Sequence, residues 1–336
     1  MRFYTRFIHT LIQITPIWLV DKFSDLTPLI PYYHMVSNER IIHVCHLYPY
    51  KNEKQFIDDI DFLCSRYQPI SLVDIIDHIK HGKKLKKMSF LLTFDDGYSQ
   101  MYSVVAPILA KKGIPAVFFL NTGFIDNKAL SYKNKASIIV EHIINDETSF
   151  NKIKHQLFYF FNVPLNELTN YILSIKYKEA GILDFIAELC GISFADYLKL
   201  NRPYLNGAQI RKMIDMGFYF GAHSKDHPLY ADLSLEGQLN QTIESLRFIT
   251  KEFELPYSIF AFPHHDLSVT KEFFLEIENQ TDLTFGTGPI KTDSVTTNLH
   301  RINFEKTLEP AGTNLKRSFI EKEIYRLLKI AIIERN

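Results

Sequence analysis

The chain has 336 residues, of which 46% are hydrophobic and 23% are charged, as in ordinary globular proteins. These values exclude a largely disordered chain. Lysine plus arginine and aspartate plus glutamate both total 38, so no overall field attracts nucleic acid or an anionic surface. The widely spaced Cys45, Cys64 and Cys190 favour core thiols over a disulfide framework or a thiolate zinc site. We expect a globular protein that binds no nucleic acid and acts on neutral or locally recognised substrates.

The N-terminal residues bear on where the protein acts. An apolar run over 7–20 follows Arg2 and Arg6, but polar residues interrupt it and no small-residue cleavage site follows. No window reaches the roughly 18 uninterrupted apolar residues of a membrane span. We therefore expect a cytoplasmic protein whose N-terminal amphipathic segment, residues 1–27, is the part that could make a peripheral contact with a membrane.

Short apolar runs alternate with amphipathic stretches along most of the chain, a pattern typical of parallel strands linked by helices. Helices are predicted over 52–66, from Ser71 with an acidic residue three positions later, and over 98–112, which Gly113 closes. A single α/β barrel accommodates a chain of this length. The predicted strands lie near 29–36, 89–94, 116–121, 218–223, 258–262, 283–286 and 299–304.

The pattern changes over 127–203, where apolar residues such as Ile139, Ile143 and Ile186 recur at helical spacing without strand-like alternation. We expect a helical insertion that packs on the barrel as a lid or side wall. Residues 314–334 predict a closing amphipathic helix. The chain is therefore divided into the segment 1–27, a barrel over 28–310 with the insertion at about 127–203, and a C-terminal helix over 311–336.

The strongest local signal is a pair of carboxylates, Asp95 and Asp96, which directly follows an apolar strand and precedes Gly97. Strand ends are where α/β barrels present reactive groups. Two adjacent carboxylates repel each other, and a nearby cation is the natural means of keeping both ionised. Taken alone, the pattern fits a solvated Asp-Gly turn equally well.

A second signal is the histidine pair His223 and His227, which follows the apolar stretch 218–220. Two imidazoles four residues apart can converge on one ion if the chain coils after the strand, and zinc accepts imidazole together with carboxylate. The chain has 13 histidines, so two can also lie close by chance, as capping or core residues.

Together, TFDDG at 93–97 and HSKDHP at 223–228 resemble the first two motifs of the polysaccharide deacetylases, also called the NodB-homology group or carbohydrate esterase family 4. The resemblance extends over about 29–304, apart from the insertion, and implies a distorted (β/α)7-type barrel. It also implies a carbohydrate deacetylase whose substrate is an N-acetylated sugar or polysaccharide. Asp96, His223 and His227 would bind a divalent metal, with zinc the expected ion, and Asp95 would be the catalytic base.

The sequence YYHMV at 32–36 resembles the Tyr-His-x-Val strand of the subgroup that acts on poly-N-acetylglucosamine and related exopolysaccharides. In that subgroup the strand histidine is the catalytic acid, so the resemblance implies that His34 protonates the leaving nitrogen. Other members supply the acid from a C-terminal Leu-x-His, which LHR at 299–301 does not reproduce. A buried strand histidine is the alternative for His34, and His265 and His300 are then the next candidates.

The sequence FAFPHHD at 260–266 stands in the place of the family's aromatic-proline motif. The resemblance implies that the backbone N–H of His264 helps to hold the oxyanion. Many relatives have an arginine that contacts the base where this chain has Ala261, and Tyr-Gly where it has His264-His265. Arg301, on the last predicted strand, is our candidate to replace the missing guanidinium.

These departures leave two alternatives open, namely a catalytically impaired carbohydrate-binding barrel and an O-acetyl carbohydrate esterase. His43 and His46, in the loop after His34, are further candidates to line the site. The lack of a convincing export signal favours a nucleotide-linked or lipid-linked precursor as substrate over a finished wall polymer.

Overall fold

The protein is described by a computed structural model over residues 8, 10–23, 28–86, 88–161, 164, 167–288 and 291–335. Arg2 and Arg6, which begin the predicted N-terminal amphipathic segment, lie outside the described residues. The strands are β1 Pro31–Tyr33, β2 Gln68–Pro69, β3 Ser89–Phe90, β4 Leu92–Phe94, β5 Ala116–Leu120, β6 Tyr219–Ala222, β7 Ile259–Ala261, β8 Leu283–Gly286, β9 Thr292–Asp293, β10 Asn298–His300, β11 Ile302–Asn303 and β12 Ile332–Ile333. The helices are α1 Ile17–Phe23, α2 Glu53–Arg66, α3 Leu72–His81, α4 Ala106–Lys112, α5 Tyr132–Asn145, α6 Glu147–Phe161, α7 Leu168–Ser174, α8 Gly181–Cys190, α9 Phe194–Asn201, α10 Gly207–Asp215, α11 Leu235–Glu252, α12 Lys271–Ile277 and α13 Ala311–Leu327.

Eight strands form one parallel sheet in the order β10, β8, β7, β6, β5, β4, β1, β11. The strands β10 and β11 are separated only by Arg301, and they pair with opposite ends of the sheet, β10 with β8 and β11 with β1. The chain thus closes the sheet into a barrel in which β10 and β11 share the seventh strand position. This arrangement confirms the predicted (β/α)7-type barrel.

The central barrel strands are mostly apolar because both of their faces are buried. In β5 all five residues are buried. Side chains of a strand alternate between its two faces. Accordingly, Phe118 packs in the large cluster that includes helix residues such as Phe56 and Ile60, whereas Val117 and Phe119 join a separate cluster with residues of the other strands. The predicted strands are therefore present. The strand at 283–286 has the predicted bounds, the run 299–304 is divided between β10 and β11, and the other strands are shorter than the runs that indicated them.

Helix boundaries follow local capping signals. The predicted capping box at Ser71 is confirmed, since its side chain accepts from the Asp74 N–H and the Asp74 carboxylate accepts from the Ser71 N–H. Gly113 ends α4 in the left-handed conformation, as expected. The helix predicted over 98–112 instead begins with a π-helical turn, Met101–Val105. Its first predicted residue, Tyr98, forms a bridge with Tyr204.

Six of the described helices, α5 to α10, lie between β5 and β6. Helices of the insertion, α5 to α9, have their own hydrophobic cluster, which includes Ile139, Ile143, Leu183 and Ile186. The start of α5 is joined to the barrel by polar contacts. The Asn134 side-chain amide donates to the His43 carbonyl at 2.7 Å and to the Tyr98 hydroxyl at 2.9 Å. These contacts place the beginning of the insertion beside the loop that follows β4.

The C-terminal helix was predicted to continue to residue 336, but α13 ends at Leu327. Leu327 and Leu328 are 82% and 62% exposed, so no buried face continues the helix. The chain instead forms β12, which pairs with β9. Arg335 then reaches a buried position, where its guanidinium bonds to the carboxylates of Asp266 and Asp293. The extended tail is thus joined to β9 through Asp293 and to the loop after β7 through Asp266.

The cysteines and the helices bear on two further predictions. The interpretation of the cysteines as core thiols is wrong, because Cys64 is exposed and Cys45 and Cys190 are only partly buried. Among the described residues, no helix combines the length and the apolar character that crossing a membrane requires.

Candidate metal centre and catalytic cavity

A cavity of about 350 Å³ is lined by residues that follow several strands of the barrel and by residues of the insertion. Active sites of α/β barrels lie at this carboxyl end of the strands. The structure brings all of the predicted site residues to this cavity, namely His34, Asp95, Asp96, His223, His227 and His264. His46 also lines it, whereas His43 is buried and its Nδ1 lies 3.0 Å from the Tyr197 hydroxyl.

Asp96, His223 and His227 present one ligand atom each within 4.8 Å of one another. The Asp96 Oδ1 atom lies 3.2 Å from His227 Nε2 and 3.6 Å from His223 Nε2. This oxygen is buried and has no hydrogen-bond partner among the described residues, and such an atom is costly unless a cation or donor meets it. A carboxylate and two imidazoles are a common ligand set for a divalent metal, so these three residues fit one.

His223 is oriented by a second contact. Its Nδ1 lies 2.8 Å from the carbonyl oxygen of Ala261, which accepts a hydrogen bond from it. The proton is therefore on Nδ1, and the lone pair of Nε2 faces Asp96. Metal-binding histidines are typically held in this way by a backbone carbonyl.

Left-handed backbone conformations bring these side chains together. Asp96 and Gly97 have φ values of 69° and 68°, and Ser224 and His227 have values of 65° and 60°. A Cβ atom at Gly97 would lie 2.7 Å from Leu120 Cδ2, so a side chain does not fit there. The Ser224 hydroxyl accepts from the His227 N–H at 3.0 Å, which coils the chain after β6. Non-glycine residues in this region are uncommon and cluster at functional sites.

Arg301 makes the contact with Asp95 that we predicted for it in place of the arginine that many relatives have at the position of Ala261. Arg301 donates from its two terminal nitrogens to Asp95 Oδ1 and Oδ2 at 2.7 and 2.8 Å, and both residues are almost completely buried. The guanidinium also lies over the rings of Tyr32 and Phe119. Burial opposes ionisation of Asp95, but the charge of Arg301 and the hydrogen bonds from its guanidinium outweigh this effect and hold the pKa of Asp95 below the usual value.

His34 is held by Glu305, a residue that the sequence reasoning did not identify. The Glu305 carboxylate accepts from the His34 backbone N–H at 3.1 Å and is hydrogen-bonded to the imidazole Nδ1. Burial lowers the pKa of His34, but the charge and hydrogen bond of Glu305 outweigh this effect, with help from Asp96 and Asp95, and raise it to about 9. The Tyr48 ring lies 4.8 Å from the imidazole, and the Tyr48 hydroxyl donates to Asp96 Oδ2 at 3.3 Å.

We expect Glu305→Gln to move the alkaline limb of the kcat/KM profile to lower pH, by on the order of one to three units, because an opposite charge next to His34 is lost. Protonated His34 is the acid form, so activity depending on it is present below its pKa and falls as pH rises through about 9. The same raised pKa stabilises the fold fully below about 6.5, and this stabilisation is lost as pH rises through the folded-state value.

The measurement is a pair of pH–rate profiles with a denaturation midpoint at each pH. Glu309→Gln is the matched control, because Glu309 pairs with Arg317 on α13 and does not line the cavity. An alkaline limb that stays in place in the Glu305 variant would show that His34 does not set it.

His264 adopts φ 57° in the loop after β7, with its ring 4.6 Å from that of His227. Its carbonyl accepts from the Thr287 hydroxyl, and its Nε2 lies 3.3 Å from the Tyr132 hydroxyl of the insertion. Within the described ranges no residue accepts a hydrogen bond from the His264 N–H. This donor remains available to a ligand.

The alternative acids do not line this cavity. His300 Nε2 lies 2.9 Å from Asp293 Oδ2, in the cluster that contains Arg335. His265 has a buried Nδ1 to which no described residue is hydrogen-bonded. Of the three histidines considered for the acid, His34 alone is among the residues that line the cavity.

Comparison with known proteins agrees with this geometry. The family model for polysaccharide deacetylase matches residues 82–286, more than half of the chain. Poly-beta-1,6-N-acetyl-D-glucosamine N-deacetylase of Escherichia coli strain K12 is 40% identical over 63 residues, which are 19% of this chain and 9% of that protein. The chain therefore belongs to the polysaccharide deacetylase family, although the matched segment spans only about a tenth of that relative.

Two solved structures show the same fold. The Streptococcus pyogenes deacetylase PplD, in complex with acetate, has a TM-score of 0.54 and 15% identity, and the alignment covers 87% of this chain and 97% of that one. IcaB from Ammonifex degensii has a TM-score of 0.51 and 15% identity, with 87% and 96% of the two chains covered.

Proposed function

We propose that the chain is a metal-dependent deacetylase that hydrolyses the acetamide of an N-acetylated carbohydrate. The observation that carries this proposal is the buried Asp96 Oδ1, which no described residue meets with a hydrogen bond and which faces the Nε2 atoms of His223 and His227 beside a second carboxylate, Asp95. Membership of the polysaccharide deacetylase family supports the same conclusion. The resemblance of the β1 sequence to the poly-N-acetylglucosamine subgroup supports an amino sugar as the substrate.

Asp96, His223 and His227 would hold the ion, with zinc the expected metal. A divalent cation supplies Lewis acidity, lowering the pKa of water from about 15.7 toward about 7 and polarising a carbonyl oxygen. Asp95 would accept the proton of the attacking water. Both of its oxygens accept from Arg301, which keeps the carboxylate ionised and fixes its plane. We therefore assign Asp95 as the base and not as a fourth ligand.

The remaining steps use two other groups of the cavity. Attack on the acetyl carbon places negative charge on its oxygen, and the free N–H of His264 would donate to that oxyanion. His34, kept protonated by Glu305, would then give its proton to the departing sugar nitrogen. An amine anion is too poor a leaving group to depart without a proton. Amine and acetate are the products.

The alternatives differ in what the cavity offers them. An impaired binding barrel was supported by the loss of an arginine at Ala261, but Arg301 now occupies that role toward Asp95. An O-acetyl esterase depends less on protonation of its leaving group by a general acid, because an alkoxide leaves more readily than an amine anion. The carboxylate that holds His34 protonated therefore favours amide hydrolysis.

The test is acetate release by the purified protein, supplied with zinc or cobalt, from matched N-acetyl and O-acetyl sugars. We expect release from the N-acetyl sugar at the higher rate, and its loss when a chelator removes the metal. Release from the O-acetyl sugar alone would identify an esterase. Carbohydrate binding without release from either substrate would identify a binding barrel.

A further inference from the structure

The insertion places a lysine in the catalytic cavity. Lys133 is the second residue of α5 and is among the residues that line the cavity with Asp96, His227 and His264. Its position is fixed, because the neighbouring Asn134 bonds to the loops that follow β1 and β4. The charged group is therefore a built part of the cavity wall.

Lys133 is half-buried and its ammonium has no acidic partner. Its Nζ donates to the carbonyl oxygens of Leu173 and Ile175 at 2.8 and 3.4 Å, and no carboxylate of the described residues lies within 4.0 Å. Burial lowers the pKa of Lys133, and no neighbouring negative charge opposes that effect. Lys135, two residues further on, has the ordinary arrangement, an ion pair with Asp184 at 2.6 Å.

Two carbonyl contacts use two of the three donors of an ammonium, and the Lys133 Nζ also lies 5.1 Å from the centre of the Tyr132 ring. The third donor therefore has no oxygen acceptor among the described residues and can turn to a ligand. A partly desolvated cation without a counter-ion is costly, and an anion that enters the cavity removes that cost. A neutral sugar polymer offers no such group. The cavity volume of about 350 Å³ is near the lower end of the roughly 300–1,000 Å³ found for ligand pockets, which suits a short substrate.

We propose that Lys133 binds a phosphoryl group of the substrate, so that the preferred substrate is an N-acetylated sugar bearing a phosphate close to its acetamide. This inference rests on the deacetylase function proposed above and specifies its substrate class. Lysine acts as a compact point charge toward phosphate, and a single free donor matches one phosphoryl oxygen. Lys133 is then a specificity residue supplied by the insertion and not by the barrel motifs.

The experiment compares three soluble probes with the metal-loaded full chain: N-acetylglucosamine 1-phosphate, its neutral methyl glycoside, and N-acetylmuramic acid, which carries a carboxylate. Binding is measured by calorimetry, and kcat and KM by acetate release. We expect the phosphate to bind about tenfold or more tightly than the methyl glycoside, as for one charge-assisted hydrogen bond. Lys133→Met should remove that difference through KM, and Lys133→Arg should retain most of it.

Lys135→Met is the matched control and should leave all three affinities unchanged. If Lys133→Met weakens binding of the neutral and phosphorylated sugars equally, the residue only supports α7, and the proposal is overturned. A preference for the carboxylate over the phosphate overturns the choice of phosphate. Absence of hydrolysis contradicts the deacetylase function instead, and the calorimetric comparison still decides the role of Lys133.

Discussion

Purified protein should carry one tightly bound divalent ion per chain, and the double substitution His223→Ala, His227→Ala should abolish both the ion and acetate release. The two imidazole nitrogens and Asp96 Oδ1 are the ligand atoms that converge in the cavity. Removing two of three protein ligands leaves one carboxylate, which does not retain a transition metal through purification. Elemental analysis and acetate release on the same preparation measure both effects.

The chain offers matched controls for this experiment. Within the part of the chain that the structure describes, two other groups of ligand-type side chains lie outside the trio, Cys45 with His46 and Glu141, and Asp266 with Asp293 and His300. In the second group Arg335 already supplies the positive charge. Cys45→Ser and His300→Ala should therefore retain the full metal content. Full occupancy in the double histidine variant would refute the ligand assignment.

The second large effect is expected for Asp95→Asn, which should lower kcat by roughly 10²- to 10⁴-fold while the metal stays bound. An amide has no basic oxygen to take the proton of water, although its shape is almost unchanged. The substitution also leaves Arg301 buried without its charged partner. We therefore expect lower stability, of about 3–5 kcal/mol, and kinetics have to be normalised to folded protein.

Asp59→Asn separates these two consequences. Asp59 is likewise buried and paired with a buried lysine, Lys51, but it does not line the cavity. It should lose stability to a similar degree and keep its activity per folded molecule. Activity of the Asp95 variant equal to that of the wild type would exclude Asp95 as the base.

The parts of the site that the sequence predicted are those carried by short motifs at strand ends. Asp95 and Asp96 follow β4 directly, and His223 and His227 follow β6, so the parallel arrangement of the strands brings them to one end of the barrel. His34, which follows β1, was predicted instead from the resemblance of the sequence YYHMV at 32–36 to a strand of the family. Alternation of apolar runs with helices was sufficient for the barrel itself.

The sequence reasoning missed the residues whose roles arise only from long-range closure. Glu305 lies 271 residues from His34, and no local pattern relates them. Its position just after the last strand of the barrel was the one available signal, since β11 pairs with β1. Lys133 was missed for a different reason. It belongs to a helix, and the spacing of apolar residues in a helix indicates which side packs against the protein but not which polar residue lies at the cavity.

The interruption between β10 and β11 has a consequence for how the protein matures. Arg301 lies at that interruption and donates hydrogen bonds to Asp95. Glu305, shortly beyond it, is hydrogen-bonded to His34. Both pairings join the first third of the polypeptide to a stretch synthesised more than 200 residues later. The three proposed metal ligands, the last of which is His227, are all synthesised before Arg301 and Glu305. Contacts so distant in sequence form slowly, so we expect the base and the acid to be oriented only after the metal ligands are present in the chain. Hydrolysis would then begin only after β11 has paired with β1 and closed the barrel.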